Sequence, residues 1–222
     1  MMALDSAGVP SIADRLRRLC EAEAARAERH LFRELNPDRL HSPQLSSPPK
    51  RFRPASVLIP IIEREGRHTV LLTVRSPTMP SHAGEISFPG GGQRQEESVI
   101  ETALREAEEE VGLTPDAVDV VGTFAIHYGG LGYAVTPVVG LVTAPPPIIP
   151  CPREVDEAFE VPLDHFIDPS SHQVTERQFK DVVYRMYAAP YEGAGPRRNV
   201  WGLTAGILHT FMRAWHDRPI GS

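Results

Sequence analysis

An α/β fold is predicted for this chain, because segments with strand character are followed by segments of helical periodicity. Two apolar runs, residues 53–62 and 69–75, flank a short charged turn with Gly66 at its tip and predict a hairpin. Apolar residues recur at helical spacing over residues 99–111 and again over 204–215. The 222 residues suffice for one domain with a substantial core, with room for an extension.

The first 50 residues are predicted to be an extension, and residues 51–222 the main domain. Helical spacing over residues 11–31 predicts an exposed helix packed on one side. Residues 36–49 are rich in Pro and Ser and predict a loop. The plainer interpretation of this extension is packing or linkage; the alternative is a dimer contact or a lid over the functional site.

The remaining elements follow in order. Residues 76–86 predict a loop that leads into a glycine turn. Further strands are predicted at residues 118–127, 136–143 and 179–187. Residues 154–163 are ambiguous, and are interpreted as a strand or turn leading into a short helix near 164–166.

Composition limits the classes of function. A net charge of −6 argues against a nucleic-acid-binding surface spread over the whole protein. The two cysteines, Cys20 and Cys151, are far apart and fit no metal-ligand pattern, so no disulfide framework is expected. The sequence contains no recognisable signal peptide, and its longest apolar run, residues 55–62, is too short to span a membrane. We expect a cytoplasmic protein.

The helix predicted over residues 99–111 has clear ends. Ser98 and Glu101 form a capping box, so the helix should begin near Val99. Gly112 is a typical residue for the position just after a helix, so the helix should end near Val111.

This helix carries more carboxylates than its stability favours. Glu106 and Glu110 lie one turn apart beside the apolar stripe, with Glu109 further round. Like charges at this spacing cost roughly 0.2–0.5 kcal/mol, and anions in the last turn oppose the helix dipole. A solvated acidic face is the ordinary explanation. A hard divalent cation such as Mg²⁺ or Mn²⁺ would remove the conflict, because it prefers oxygen ligands.

The spacing of these residues resembles the Nudix box. Gly91, Glu97 and the run Arg105–Leu113 fill every fixed position of that family's pattern. The resemblance implies an α/β/α sandwich with a mixed β-sheet, and hydrolysis of a nucleoside diphosphate linked to another moiety. It also implies that the Gly91 carbonyl and three carboxylates hold one to three Mg²⁺ or Mn²⁺ ions, and that Glu97 pairs with Arg105 to orient the helix. The three carboxylates are Glu106, Glu109 and Glu110.

A second motif resembles the coenzyme A pyrophosphatase subgroup of that family. It reads LLTVRSPTMPSHAGEISFPGG over residues 71–91, and the run WGLT at residues 201–204 also resembles that subgroup. Arg75 at a strand end suits a bidentate phosphate contact, although a surface ion pair is the alternative. His82 is interpreted either as a phosphate contact or as a cap of its loop. Gly90 lets the backbone come close to the substrate. The sequence departs from the subgroup at Gln93–Gln95, which should affect the turn rather than the chemistry.

The resemblance implies an enzyme that converts coenzyme A to 3′,5′-ADP and 4′-phosphopantetheine. Glu109, Glu154 and Glu157 are the candidates for the general base, with Glu157 slightly favoured. The alternatives are a Nudix hydrolase of ADP-ribose, NADH or an acyl-coenzyme A, and a non-catalytic sensing domain. The expected partners are a small nucleotide substrate and a second copy of the chain. The homodimer is suggested by the family and by the apolar helix face near Leu16.

Overall fold

The computed structural model describes residues 11–79, 81–193 and 195–217. These residues contain five α-helices: α1 Ile12–Ala24, α2 Leu31–Leu35, α3 Val99–Val111, α4 Leu163–Ile167 and α5 Gly202–His216. They also contain eleven β-strands: β1 Arg53–Arg64, β2 Arg67–Arg75, β3 Ile86–Ser87, β4 Gly90–Gly92, β5 Asp119–Thr123, β6 His127–Tyr128, β7 Tyr133–Val142, β8 Val155–Pro162, β9 Gln173–Phe179, β10 Val182–Tyr191 and β11 Arg198–Trp201.

The central sheet is mixed. Its strands follow the order β3-β2-β1-β7-β5, with β4 paired to β1, β6 to β7 and β8 to β2. Strands β1 and β7 run parallel along ten residue pairs, and the other pairs are antiparallel. A separate antiparallel sheet has the order β11-β10-β9.

Helices cover both faces of the central sheet. Side chains alternate along β1, so Leu58 and Ile62 belong to the core shared with α3. Ile59 and Ile61 point to the opposite face and belong to the core shared with α1 and α5. The predicted α/β/α sandwich with a mixed sheet is therefore confirmed.

Several local predictions are also confirmed. The hairpin is formed by β1 and β2, and α3 begins and ends at the predicted residues. Both hydrogen bonds of the Ser98–Glu101 capping box are present, and Gly112 has φ of 70°. The ambiguous segment 154–163 is a strand, β8, that leads directly into α4.

The helix predicted over residues 11–31 is wrong in its second half. Helix α1 ends at Ala24, and the chain then turns so that the Arg29 N–H donates to the Ile126 carbonyl. The Tyr128 N–H donates to the Arg29 carbonyl, so Arg29 bridges to the sheet instead of continuing the helix. A separate short helix, α2, begins two residues later at Leu31, the last residue of the predicted range, and continues beyond that range to Leu35.

Two strand predictions also need correction, and further strands are missing from the predictions. The strand predicted over 118–127 is divided into β5 and β6, and the β5–β7 register shifts at Gly122. Strand β10 covers 182–191 rather than 179–187, because a turn containing Lys180, at φ of 52°, separates it from β9. Strands β9 and β11 were not predicted; most β9 side chains are exposed, so its sequence lacks the expected alternation.

Helix α1 belongs to the same core as the central sheet. Leu16, Leu19 and Cys20 are buried in the cluster that includes α5 and β7. Gly122 lies so close to α1 that an added Cβ would be 2.5 Å from the Cys20 Cβ. The apolar face near Leu16 is thus used within the chain, and the homodimer stays a prediction from the family resemblance.

None of the helices in the described parts of the chain is long and apolar enough to cross a membrane.

Candidate active site

A cavity of about 480 Å³ lies where the glycine turn, α3 and the start of α5 meet. Its lining includes five of the predicted site residues with side chains or backbone facing the space, together with apolar side chains from α2, β10 and α5. These five are Arg75, His82, Gly90, Gly91 and Glu106, and a sixth predicted site residue, Glu110, lines the same wall.

The glycine turn forms the floor of this cavity. A Cβ on Gly90 would lie 2.5 Å from the Ser56 carbonyl oxygen, and one on Gly91 would lie 2.5 Å from the Glu106 Cδ. The contact at Gly90 is with backbone atoms, so that position requires glycine, whereas a Cβ on Gly91 would push aside the flexible end of the Glu106 side chain. The turn is held in place by β4, which pairs with β1 at the centre of the sheet.

Glu110 is a buried carboxyl with little compensation for its charge. Its side chain is on a residue only 3% exposed, and the Gly90 N–H donates to Oε2 at 3.3 Å. Burial raises the pKa of Glu110 to about 8; the Gly90 hydrogen bond opposes this shift, and the nearby Glu106 carboxylate adds to it. Burial is therefore the main reason that Glu110 is costly to ionise beside the glycine turn, and the positive charge of Arg75 opposes this effect only in part.

Arg105 links the carboxylates to the turn. Its Nε donates to Glu97 Oε1 at 2.7 Å, its Nη1 to Glu106 Oε1 at 2.7 Å, and its Nη2 to the Gly92 carbonyl at 3.3 Å. The hydrogen bond from Arg105 is the main cause that lowers the pKa of Glu97 to about 2. The Thr102 hydroxyl also donates to Glu97, at 3.0 Å. The guanidinium thus fixes the distance between α3 and the glycines.

Glu109 points to the rim rather than into the cavity. Its side chain is 44% exposed and accepts from Arg94 Nη2 at 3.2 Å and from Arg105 Nη1 at 3.1 Å. The structure therefore places Glu109 beside Glu106 on α3, with its carboxylate neutralised by two arginines.

Arg75, the last residue of β2, and His82, in the loop that follows, lie above the floor. Arg75 Nε donates to the Ser81 carbonyl at 3.2 Å, and the Gly84 N–H donates to the Arg75 carbonyl at 3.0 Å. His82 Nδ1 lies 2.9 Å from Glu85 Oε2, and this hydrogen bond raises the pKa of His82. Both side chains line the cavity, where they can present positive charge to an anion.

The structure does not bring Glu157 to this cavity. Arg198 donates to both of its carboxylate oxygens, at 2.8 and 2.5 Å, and Glu157 is absent from the cavity lining. Glu154, three residues earlier and just before β8, does line the cavity. Its charge contributes to the raised pKa of Glu110, so the two carboxyl groups are electrostatically coupled.

The donor set fits a hard divalent cation. Glu106, Glu110 and the glycine-turn carbonyls offer oxygen only, which is the chemistry that Mg²⁺ and Mn²⁺ prefer. A buried carboxyl of raised pKa is the group that a nearby cation would stabilise in its charged form. In the parts of the chain that the structure describes, no three His, Cys, Asp or Glu side chains already converge on one point. Glu109 is turned towards Arg105 and Arg94 instead.

Some lining residues have no clear sequence signal. Phe32 and Leu35 in α2 lie in the predicted extension, between the helix predicted over residues 11–31 and the loop predicted over residues 36–49. Trp201, by contrast, was part of the WGLT run that matched the subgroup, and it also lines the cavity. A local pattern could identify Trp201 but not α2, because α2 reaches the site only through the turn after α1.

Comparison with known proteins agrees with this geometry. The family model for the NUDIX domain matches residues 52–183. "Uncharacterized Nudix hydrolase NudL" of Pectobacterium atrosepticum is 40% identical over 181 residues, covering 81% of this chain and 92% of that protein. The protein of the same name from Photorhabdus laumondii is 42% identical over 171 residues, covering 75% and 89%. A solved Ap4A hydrolase binary complex from C. elegans has a TM-score of 0.44 and 20% identity, and covers 52% of this chain and 83% of that chain.

A carboxylate-rich helix set against a glycine turn suits a class of enzymes that hold a divalent cation beside a phosphorylated substrate. Within that class the chain belongs to the Nudix family, since the family model covers more than half of it and its relatives align over most of their length. It is therefore a Nudix hydrolase of pyrophosphate-containing substrates.

Proposed function

We propose that this enzyme hydrolyses the diphosphate bond of coenzyme A or its derivatives, giving 3′,5′-ADP and 4′-phosphopantetheine. The observation that carries the proposal is the continuity of one cavity from the Gly90–Gly92 floor, past Arg75 and His82, to an extended apolar wall. A substrate with a diphosphate at the glycine floor and a long uncharged arm along the apolar wall matches this order of surfaces. The motif over residues 71–91 supports the same substrate.

Different residues of the chain have different proposed roles in substrate binding. Arg75 and His82 are proposed to contact the phosphate oxygens. For this, Arg75 must give up or share its hydrogen bond to the Ser81 carbonyl, and His82 its hydrogen bond with Glu85. Gly90 and Gly91 allow the substrate to approach the backbone. Arg105 and Glu97 are proposed to keep α3 in register with the turn, without touching the substrate.

We assign Mg²⁺ or Mn²⁺ to the Gly91 carbonyl, Glu106, Glu109 and Glu110. When bound, such an ion neutralises charge on the diphosphate and lowers the pKa of a coordinated water. Glu106 and Glu110 already face the glycine turn. Glu109 would have to exchange its pairing with Arg94 and Arg105 for this role.

Glu154 is our choice for the general base. It lines the cavity, whereas Glu157 is held by two hydrogen bonds from Arg198, and Glu109 is held by two arginines. A base must reach the water from which it takes a proton. Parallel replacement of Glu154 and Glu157 by Gln tests this choice. Only Glu154→Gln should remove the acidic limb of the pH–rate profile, with a fall in kcat of about 100-fold. The opposite result would return Glu157 to that role.

The substrate is tested by incubating purified protein with coenzyme A and Mg²⁺ or Mn²⁺ and separating the products by chromatography. We expect 3′,5′-ADP and 4′-phosphopantetheine from the wild type, and almost none from Glu110→Gln or after chelation. Cleavage of ADP-ribose or NADH with coenzyme A left intact would retain the Nudix chemistry and reject the substrate. Absence of cleavage with every diphosphate would favour the sensing domain.

A further inference from the structure

A strap formed by residues 29–45 closes one end of the cavity. It comprises α2 and the loop after it, and it precedes the segment 52–183 that the family model matches. Its side chains facing the cavity are Leu31, Phe32, Leu35, Ser42 and Gln44. The strap therefore supplies part of the binding surface from outside the family domain.

Backbone-directed hydrogen bonds hold the strap on β10. The buried Asn36 side chain donates from Nδ2 to the Arg185 carbonyl at 2.9 Å and accepts from the Arg185 N–H at 2.8 Å. The Ser42 N–H donates to the Gly130 carbonyl at 3.1 Å. One buried amide thus satisfies both backbone groups of a strand residue, as a neighbouring strand would. The strap is a fixed wall of the cavity.

The beginning of the strap is anchored by charge and by aromatic packing. Arg29 forms an ion pair with Glu34 at 2.6 Å, and its Nη1 donates to the Thr210 hydroxyl on α5 at 3.3 Å. The His30 ring stacks on Tyr128 with 4.4 Å between centroids. These contacts connect α2 to α5 and to β6, which fixes the face that α2 presents to the cavity.

The face that α2 presents is apolar and closely packed. Leu31 lies against α5 so tightly that a Cβ on Gly206 would be 2.4 Å from its Cδ1. The Phe32 ring lies 6.0 Å from the Tyr184 ring and 3.0 Å from the Cβ position of Gly130. Both Phe32 and Leu35 are half-buried, so part of each side chain is open to a ligand.

We propose that the strap binds the pantetheine arm of the substrate together with an acyl group on its thiol, and that Phe32 and Leu35 determine acyl specificity. This inference rests on the proposed function, which places the diphosphate at the glycine floor. The strap side chains that face the cavity carry no charge and combine aliphatic or aromatic groups with one hydroxyl and one amide. An arm of methylenes and amides that ends in an alkyl chain matches this pattern, whereas the phosphorylated ribose of the nucleotide does not.

The test compares Phe32→Ala with Arg33→Ala, a change of the next residue, which is exposed and does not line the cavity. Steady-state kinetics are measured with coenzyme A and with octanoyl-coenzyme A. For Phe32→Ala we expect KM for octanoyl-coenzyme A to rise about tenfold, and KM for coenzyme A by less than about threefold. Phe32→Leu should recover most of the selectivity, and Arg33→Ala should match the wild type. Thermal unfolding confirms that each variant is folded.

Binding is measured separately from turnover. Trp201 lines the cavity and is one of two tryptophans, so its fluorescence reports ligand binding in a chelator, where the substrate is not consumed. If wild-type protein binds octanoyl-coenzyme A more tightly than coenzyme A but cleaves neither, the proposed reaction fails, and loss of the preference in Phe32→Ala still supports the strap. An equal effect of Phe32→Ala on both ligands, or no effect on either, would overturn the inference. Absence of binding by the wild type, together with absence of cleavage in Mg²⁺ or Mn²⁺, would overturn both proposals.

Discussion

Glu110 shows how a single residue can favour function over stability. A carboxyl group on a residue 3% exposed, with one backbone donor, is costly to ionise, and burial raises its pKa to about 8. A residue chosen for stability alone would be neutral at this position. The cost is offset when a cation occupies the site, and such conflicts are common where a site is built for a ligand.

Replacement of Glu110 by Gln should stabilise the metal-free protein in a pH-dependent way. The folded-state pKa lies above the unfolded value of about 4.3. The protonated Glu110 side chain therefore stabilises the folded protein relative to the ionised one. This stabilisation is fully present below the unfolded-state pKa and is lost as pH rises through about 8. The variant lacks this loss, so near pH 8 it should gain at least about 1 kcal/mol over the wild type, or roughly 2–4 °C in Tm.

Calorimetric unfolding in a chelator at pH 5 and pH 8 measures this difference. Glu108→Gln, on the exposed side of the same helix, is the matched control and should show little pH-dependent change. Addition of Mg²⁺ should reverse the order by stabilising the wild type more than Glu110→Gln. An advantage of Glu110→Gln that is the same at both pH values would contradict the raised pKa.

Gly91 provides a second test at the scale of one residue. A Cβ there would overlap Glu106, whereas a Cβ on Gly92 would meet nothing within 4 Å. Neither glycine has a positive φ, so the comparison isolates contact from backbone strain. Gly91→Ala should displace the flexible end of Glu106 and lower kcat by more than about 100-fold, with little loss of stability, because that side chain can move. Gly92→Ala should retain most activity; equal losses in the two variants would reject the contact explanation.

At the scale of the element, the ends of a helix or strand could be predicted where residues close by in the sequence determine them. Helix α3 was predicted at both ends because Ser98, Glu101 and Gly112 determine its caps within the helix's own sequence. The end of α1 was not, because Arg29 leaves helical geometry to pair with Ile126 and Tyr128, about 100 residues away. Strand β9 was missed for a different reason: among the strands that the structure describes it pairs only with β10, and most of its side chains are exposed.

The cap of α3 can be tested directly. Ser98→Ala removes the acceptor of the Glu101 N–H, 3.2 Å away, and leaves the Glu101 side chain bonded to the backbone of residue 98. We expect a loss of about 1 kcal/mol in unfolding free energy and about 2–4 °C in Tm. Denaturant unfolding measures it, with Glu108→Ala as the control on the same helix. A loss no larger than that of the control would show that packing alone determines where α3 begins.

At the scale of the molecule, the sequence predicted the carboxylates and glycines of the site better than it predicted the rest of the cavity wall. Residues 90–113 bring together the glycines and the α3 carboxylates, so one continuous stretch contains most of that chemistry. The far wall is assembled from α2, β10 and α5, whose members are as distant in sequence as Phe32 and Ile207. Only tertiary packing brings these residues together, and no spacing rule connects them.

The same packing makes α1 part of the main fold, and this leads to a final prediction. Leu16 is fully buried between the sheet and α5, in the cluster that also contains Phe211 and Val139. Leu16→Ala should therefore cost about 2–5 kcal/mol, as expected for a leucine in a packed core, and lower Tm by at least about 5 °C. Glu21→Ala, on the exposed side of α1, should change stability by less than about 0.5 kcal/mol. Unfolding by urea, followed by far-UV circular dichroism, measures both. If α1 were only an appendage, Leu16→Ala would unfold at the same urea concentration as Glu21→Ala.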